Sequence, residues 1–234
     1  MSVWDNAWGQ LNNLYTWGWA FGGAFYDVVS DTATLTDPQV VKALEWLADH
    51  YNRYVMTLAG KNPSFVRRFI DEDEVMITAH TEVIGEVLNF NPEIKLTLGI
   101  MPHEAGVGPE NPAWVGGWRI VLVEGSQYTE EAWKLIRFLA ADPVGTGVFG
   151  VTASQYPGYR YSNAYDQFKM DPIRGFFAQI LEAAQRVRPV TTQSDVFTRE
   201  IQALVRPVYA GEKSPQAALA EANRRINQAL HDAR

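Results

Sequence analysis

Apolar residues recur along this chain at two periods, and these divide it into helices and extended runs. From Pro38 onward, Val40, Val41, Leu44, Leu47, Ala48 and Tyr51 follow the spacing of one helix face. Asp37 stands where a helix cap belongs, and Pro38 occupies the first helical position, where its missing N–H is not needed. Ala132, Leu135, Ile136 and Leu139 form a second stripe and predict a helix over Thr129–Ala141 capped by Thr129. Asp142-Pro143 opens a further short helix. "NPSFVRRFIDEDE" predicts a short helix and a charged turn, and "HTEVIGEVLNF" a helix capped by Thr81. At the N-terminus, a helix is expected from about Trp4 to Ala20. It carries the aromatic residues Trp4, Trp8, Tyr15, Trp17 and Trp19, with Phe21 following, and ends at Gly22-Gly23. Three helices close the chain, at about 171–186, 194–206 and 214–233, the last capped by Ser214 with Pro215 behind it.

The extended runs are shorter. "DVVSDTATLTDP" reads as a short hairpin or extended pair, "VMITA" and "EIKLTLGIM" as strands, and Arg119–Val123 as an apolar strand behind Trp114-Val115-Gly116-Gly117-Trp118. Short strands alternating with helices, followed by an all-helical final third, predict an α/β or α+β fold. No internal repeat and no low-complexity linker interrupts it.

Composition narrows the function classes. With 234 residues, 47% of them hydrophobic, the chain can bury a substantial core. A net charge of −7 without a Lys/Arg run argues against a nucleic-acid partner. Arg67-Arg68 and Arg224-Arg225 are isolated pairs, expected on solvated helix faces. No cysteine is present, so disulfides, thiol catalysis and Cys-ligated metals are excluded. The residues His50, His80, His103 and His231 show no metal-ligand spacing, and no phosphate loop, dinucleotide fingerprint or Gly-x-Ser-x-Gly elbow occurs. No cofactor is expected. The opening "MSVWDNAWGQ" has neither a basic n-region nor an apolar h-region.

Four stretches, in order, carry a family resemblance: "GGAFYDVVSDTATLTDPQVVKALEWLADHY", "DEDEVMITAHTEVIG", "IKLTLGIMPHEAGVGPENPAWVGGWRIVL" with "AWKLIRFLAADP", and "RPVTTQSDVFTREIQALVRPVYAGEKSPQAALAEANRRINQAL". The chain resembles the sugar-binding type of extracellular solute-binding protein, the maltose- and trehalose-binding kind that feeds ABC importers. The resemblance implies an α/β fold of the periplasmic-binding-protein type II. Residues 1–117 and 165–234 would form a discontinuous C-terminal lobe, and 118–164 a segment of the N-terminal lobe. Family members carry a further long segment ahead of the matched part, so the chain is expected to be truncated relative to them. The implied partners are a sugar or oligosaccharide and an ABC permease. The implied location is extracellular or periplasmic, with a membrane-anchored lipoprotein as one full-length form.

Candidate contacts follow, each with a plainer alternative. Trp114, Gly116, Gly117 and Trp118 suit a sugar platform: an indole covers the C–H face of a pyranose, worth about 2 kcal/mol, and glycines admit close backbone approach. The alternative is a Trp packed at the start of a core strand. Trp17 and Trp19 lie where the family places aromatic sugar contacts, yet two residues apart on a helix they point to different sides, so at most one is expected to face a ligand. His80 and Glu82 stand where many relatives have a Trp; they suit hydroxyl groups or an amino-bearing ligand, or simply a helix start. Tyr159 and Arg160, in the loop "QYPGYRYSNAY", and Gln193, ahead of the Ser194 helix, are further candidates. The competing function is a carbohydrate-active enzyme, which needs two carboxylates about 5–10 Å apart. Asp5, Asp27, Glu82 and Glu104 are the residues that could supply them. "DEDE", Asp71–Glu74, reads as a solvated turn. The apolar stripe of the Thr129 helix and the edges of Arg119–Val123 want burial, which predicts a symmetric homodimer.

Overall fold

A computed structural model describes residues 7–55, 64–106, 112–183 and 186–234. Trp4 and Asp5 therefore lie outside the described residues. The chain divides into two compact units. One comprises Met1–Thr78, Ile100–Val115 and Ala184–Arg234; the other comprises Ala79–Gly99 and Gly116–Ala183.

The first unit is built on four helices: α1 (Ala7–Ala20), α2 (Pro38–His50), α9 (Ser194–Tyr209) and α10 (Pro215–Asp232). α1 packs on α2 and α9, and α10 on α9 and α2. The local signals read from the sequence act as caps. Asp37 accepts from the Gln39 N–H at 2.8 Å, and Ser214 accepts from the Ala217 N–H at 3.3 Å. α9 runs past its expected end through Pro207 to Tyr209 and stops before Gly211, whose φ of 71° suits a residue without Cβ. The faces these helices bury form one core, with Leu11, Leu14, Leu44, Leu47, Ile201, Leu219 and Ile226 among its members. Gly18 sits mid-helix because the Phe25 ring packs where its Cβ would be.

Between α1 and α2 lies the expected hairpin, β1 (Tyr26–Asp27) and β2 (Thr32–Ala33), antiparallel with Tyr26 opposite Ala33. α3 (Phe65–Ile70), capped by Ser64, completes the unit. Two sequence expectations fail here. Arg68 is fully buried rather than solvated, and Glu74, assigned to a solvated turn, is buried with it. Arg68 Nε donates to Glu74 Oε1 at 2.8 Å. The turn reverses at Glu72, φ 60°, and this folds Glu74 back against α3.

In the second unit, α4 (Thr81–Phe90) precedes α5 (Thr129–Ala141), α6 (Pro143–Ala153), α7 (Tyr165–Met170) and α8 (Arg174–Ala183). Asp142 caps α6 through the Val144 and Gly145 amides, both at 2.9 Å. Of the helix expected over 171–186, the described residues show Arg174–Ala183. Its start moves to Arg174, because Asp171-Pro172 breaks the chain and the Asp171 carboxylate caps the Ile173 and Arg174 amides. Neither expected threonine cap forms. His80 precedes α4, with Thr81 already inside the helix, and Tyr128 precedes α5, while the Thr129 hydroxyl donates back to the Ser126 carbonyl.

The strands are the larger correction. Among the described residues, 93–101 and 119–123 form no ladder, and 75–79 pairs at Ile77 alone. A strand is not a local structure: it needs neighbours in register. Ile120, Val121 and Val123 are exposed on both sides of their segment. Such a continuous apolar run suits a sheet covered on both faces, and those neighbours are not among the described residues. α5 likewise buries none of its residues.

Removing one partner of a buried ion pair leaves the other charge uncompensated. Glu74→Ala should therefore lower stability by about 3–5 kcal/mol in chemical denaturation, while Arg68→Met with Glu74→Leu should be close to neutral. Equal losses in the single and double variants would contradict this.

Candidate functional site

The candidate residues fall into the two units and are described unit by unit. In the first, Trp17 and Trp19 go into the core, each 5% exposed. Trp17 lies against Trp46, centroids 4.2 Å apart, and Trp46 stacks on His50 at 5.0 Å. Trp19 stacks on Tyr15 at 5.4 Å and meets the Phe25 ring edge-on at 5.9 Å. Opposite sides of α1 were expected, and the structure gives them; neither ring presents its face to solvent. The Trp17 indole N–H is buried without a hydrogen-bond partner among the described residues.

Trp114 is half-buried at the edge of that core. Its segment is held by a parallel bridge to Arg186, and the Val115 N–H donates to the Arg186 carbonyl at 2.8 Å. Arg188, two residues further, sets its guanidinium over the Trp114 ring, 5.0 Å from the centroid. The same charge reaches Tyr15. Burial pushes the Tyr15 hydroxyl well above the usual tyrosine range, and Arg188 opposes that rise only in part. Tyr15 is thus a neutral hydroxyl at physiological pH. Gln193 stands half-buried directly before α9, its N–H donating to the Thr191 hydroxyl at 3.3 Å.

In the second unit, Gly116, Gly117 and Trp118 form an exposed extended segment, with Trp118 84% exposed. Among the described residues, no atom beyond Gly117 and its chain neighbours lies within 4 Å of where a Gly117 Cβ would stand. His80 is half-buried before α4, and Glu82 is exposed in its first turn, where a negative charge meets the helix dipole favourably. Tyr159 and Tyr161 meet edge to face at 5.5 Å, and Arg160 covers the Tyr161 ring at 4.7 Å. Tyr156 packs on Tyr165 and Phe168. The structure thus groups Trp114 with Arg188 and Tyr15 in one unit and Tyr159 with Arg160 and Tyr161 in the other. Trp118 falls in the second unit and Trp114 in the first.

Two of the carboxylates considered for hydrolysis, Asp27 and Glu104, have local partners. Asp27 accepts from the Ser30 hydroxyl at 2.8 Å and from the Val29 amide, and these bonds hold its pKa below the usual range. Glu104 pairs with Lys42 at 2.7 Å. Among the described residues, no group of three His, Cys, Asp or Glu is placed to hold a metal ion. Arg188 was missed in the sequence. Its one signal was the alternation Arg186-Val187-Arg188, which in an extended segment sends both basic chains to one side.

No model of a known protein family matches the chain. A curated relative, the sn-glycerol-3-phosphate-binding periplasmic protein UgpB of Salmonella paratyphi A, is 23% identical over 248 residues, covering 95% of this chain and 54% of its own length. Among solved structures, an ABC transporter solute-binding protein from Thermotoga lettingae with α-D-tagatose bound is 21% identical with a TM-score of 0.76, covering 94% of this chain and 56% of that one. Maltose-bound MalE3 from T. maritima is 19% identical, also at TM-score 0.76, with 93% and 57% covered. The maltose/maltodextrin-binding MalE domain of Bdellovibrio bacteriovorus, bound to maltotriose, matches at 18% identity and TM-score 0.69, covering 95% and 58%. The chain spans about half the length of the curated relative it matches. Its fold is that of the periplasmic solute-binding proteins, helix-rich and α/β.

An exposed side chain with no packing role can be removed without unfolding the protein. Trp118→Ala should change the thermal midpoint by no more than the equivalent of about 0.5 kcal/mol, whereas Trp19→Ala should cost about 3–5 kcal/mol. A destabilised Trp118→Ala would place that ring in a core.

Proposed function

We propose that this chain, with the fold of the solute-binding proteins that serve ABC importers, binds a sugar or oligosaccharide without transforming it and delivers it to a membrane permease. The observation that carries the reading is the fold match, over more than nine-tenths of the chain, to proteins solved with tagatose, maltose and maltotriose bound. The curated relative is named for glycerol 3-phosphate, so small polyols belong to the same screen. The protein would act outside the cytoplasmic membrane, in the periplasm or at the cell surface as a lipoprotein.

Trp118 is the proposed stacking surface, because it is a wide ring open to solvent next to two glycines. His80, Glu82, Tyr159 and Arg160 are the proposed polar contacts of that same unit, the second; Trp114 and Gln193 are proposed contacts of the first unit, taken by itself. Trp17 and Trp19, both buried, act through packing. Thermal-shift and calorimetric titration with tagatose, maltose, maltotriose and glycerol 3-phosphate test the reading, run beside chromogenic glycosides. Saturable binding without turnover is expected. Trp118→Ala should weaken binding about tenfold or more, the equivalent of losing about 2 kcal/mol of stacking. Turnover abolished by a single Asp or Glu substitution would establish the enzyme instead.

A second proposal concerns the apolar surface of the second unit. Trp133, Leu135 and Phe138 of α5 and Val148 of α6 are about half exposed, as is Ile120, and Val121 and Val123 are more exposed still. α5 carries Glu130 and Glu131 in its first turn and Lys134 and Arg137 further on. Two copies of α5 laid antiparallel about a two-fold axis bring the acidic end of each to the basic positions of the other. The chain on its own is therefore expected to form a homodimer in light scattering at micromolar concentration. A stable monomer would rule the dimer out.

A further inference from the structure

The sugar-binding reading leaves open whether the ligand is neutral or charged, and a loop of the second unit bears on that. The loop runs from Ser154 to Ala164, between α6 and α7, and both of its ends are held on α6. The Gln155 N–H donates to the Gly150 carbonyl and the Asn163 N–H to the Pro143 carbonyl, each at 3.0 Å. Two glycines of α6 admit that approach. A Cβ on Gly150 would stand 3.1 Å from the Gln155 carbonyl oxygen, and one on Gly147 3.3 Å from the Ala164 nitrogen. Within the loop, Pro157 and Ser162 are buried, and the Ser162 N–H closes a turn onto the Tyr159 carbonyl at 2.9 Å. This anchoring presents Arg160 and Tyr161 to solvent, with Tyr159 half-buried beside them. Tyr159 meets Tyr161 edge to face at 5.5 Å, and the Arg160 guanidinium lies over the Tyr161 ring at 4.7 Å. Arg174 of the same unit makes the contrast. It too covers a ring, that of Phe168 at 5.7 Å, but the Asp171 carboxylate accepts from its guanidinium at 2.9 Å. Arg160 has the ring without the acid: among the described residues, no carboxylate or carbonyl bonds to its guanidinium, in a chain whose net charge is −7.

We propose that Arg160, seated on Tyr161, recognises an anionic group of the sugar: the carboxylate of a uronic acid or the phosphate of a sugar phosphate. This rests on the sugar-binding reading and narrows its ligand class. Stacking engages the flat face of a guanidinium and leaves its N–H groups along the edge, in the guanidinium plane. That edge matches two oxygens of a carboxylate or phosphate, in a bidentate contact a lone hydroxyl cannot make. The ring, itself braced by Tyr159 and by the anchored turn, restricts a long side chain that would otherwise sample many rotamers. Less ordering therefore remains to be done on binding. An anion arriving at Arg174 would have to displace Asp171; one arriving at Arg160 breaks no ion pair among the described residues. Tyr161 is a positioning residue in this scheme, and it acts through its ring.

Three ligands built on one ring test the proposal: glucose, glucuronate and glucose 6-phosphate, titrated calorimetrically into the whole chain. Acetate and inorganic phosphate serve as controls for the bare ions. At least one charged sugar should bind about tenfold tighter than glucose at low salt, and the advantage should shrink as salt rises. Which charged sugar gains identifies the group that is read, carboxylate or phosphate. Arg160→Gln should cost the charged sugar about tenfold more than it costs glucose, with the thermal midpoint unchanged. Arg160→Lys, which keeps the charge and loses the fork, should retain only part of the advantage. Tyr161→Phe should keep the advantage and Tyr161→Ala should reduce it, because the ring and not the hydroxyl seats the guanidinium. An advantage that survives Arg160→Gln overturns the inference and leaves sugar binding intact. So does equal affinity for the three sugars, or binding confined to the neutral sugars of the earlier screen. Acetate or phosphate binding as tightly as the charged sugars assigns Arg160 to bare ions and overturns it as well. Failure of these ligands and of every neutral sugar to bind overturns the sugar-binding reading, and this inference with it.

Discussion

The first unit depends on two asparagines of its last helix. Asn227 accepts from the Ala33 N–H at 2.7 Å and donates to the Ala33 carbonyl at 3.1 Å; Asn223, one turn earlier, accepts from the Leu35 N–H at 2.8 Å. These bonds join residues 188 to 194 positions apart. A hairpin with two residues per strand does not persist alone in water. Here α10 serves as the missing third strand, with side-chain amides in place of a backbone edge. Once the hairpin is fixed, Ala33 and Leu35 enter the core and Phe25 closes over Gly18. α1 and α2 then have a surface on which to bury Trp17, Trp19 and Leu44. The segments bearing Trp114 and Arg188 lie at the edge of what this closure creates.

The second unit follows a different logic. Its helices are specified locally, by Asp142 before Pro143 and by Asp171 before Arg174, and bury Val83, Ile84, Val87, Phe168 and Ala178 among the described residues. Gly85 and Ser154 approach closely enough to exclude a larger residue at 85, and Gly145 and Gly175 sit tight against the carbonyls of Phe138 and Lys169. These contacts fix turns between neighbouring helices. They do not bury α5. An apolar stripe in solvent and an apolar run without a ladder are unfavourable together, and both are relieved by the same event, the approach of another polypeptide surface.

What could be read from the sequence was local. Asp37-Pro38, Asp142-Pro143 and Ser214-Pro215 announce helix starts because the cap, the missing donor and the apolar stripe lie within one turn of each other. The hairpin was legible from its turn residues. The solute-binding fold was legible from the order of four stretches rather than from any one of them. The strands were not, because Ile120–Val123 is a strand by composition and becomes one only beside a neighbour. Arg68 was not legible either: nothing in "VRRF" distinguishes the arginine that points inward, and its partner Glu74 sat inside an acidic run that looked solvated. Among the candidate contacts, the sequence identified aromatic residues but not their burial. Trp17 and Trp118 look alike in the sequence, and the fold puts one in the core and the other in water. Arg188 gave only the weak signal of an alternating pair.

The account stands on the proposal that the chain binds a sugar-like ligand, with Trp114 and Gln193 as contacts in the first unit and Trp118 as one in the second. Hydrogen exchange followed by mass spectrometry, with and without a saturating ligand found in the titrations, tests it most directly, because it reads the backbone of each segment separately. The account predicts slower exchange at 113–119 and 186–193 on ligand addition, while α2 and α10, already protected by the core, stay unchanged. Slower exchange confined to other segments, with none at 113–119 or 186–193, would contradict it.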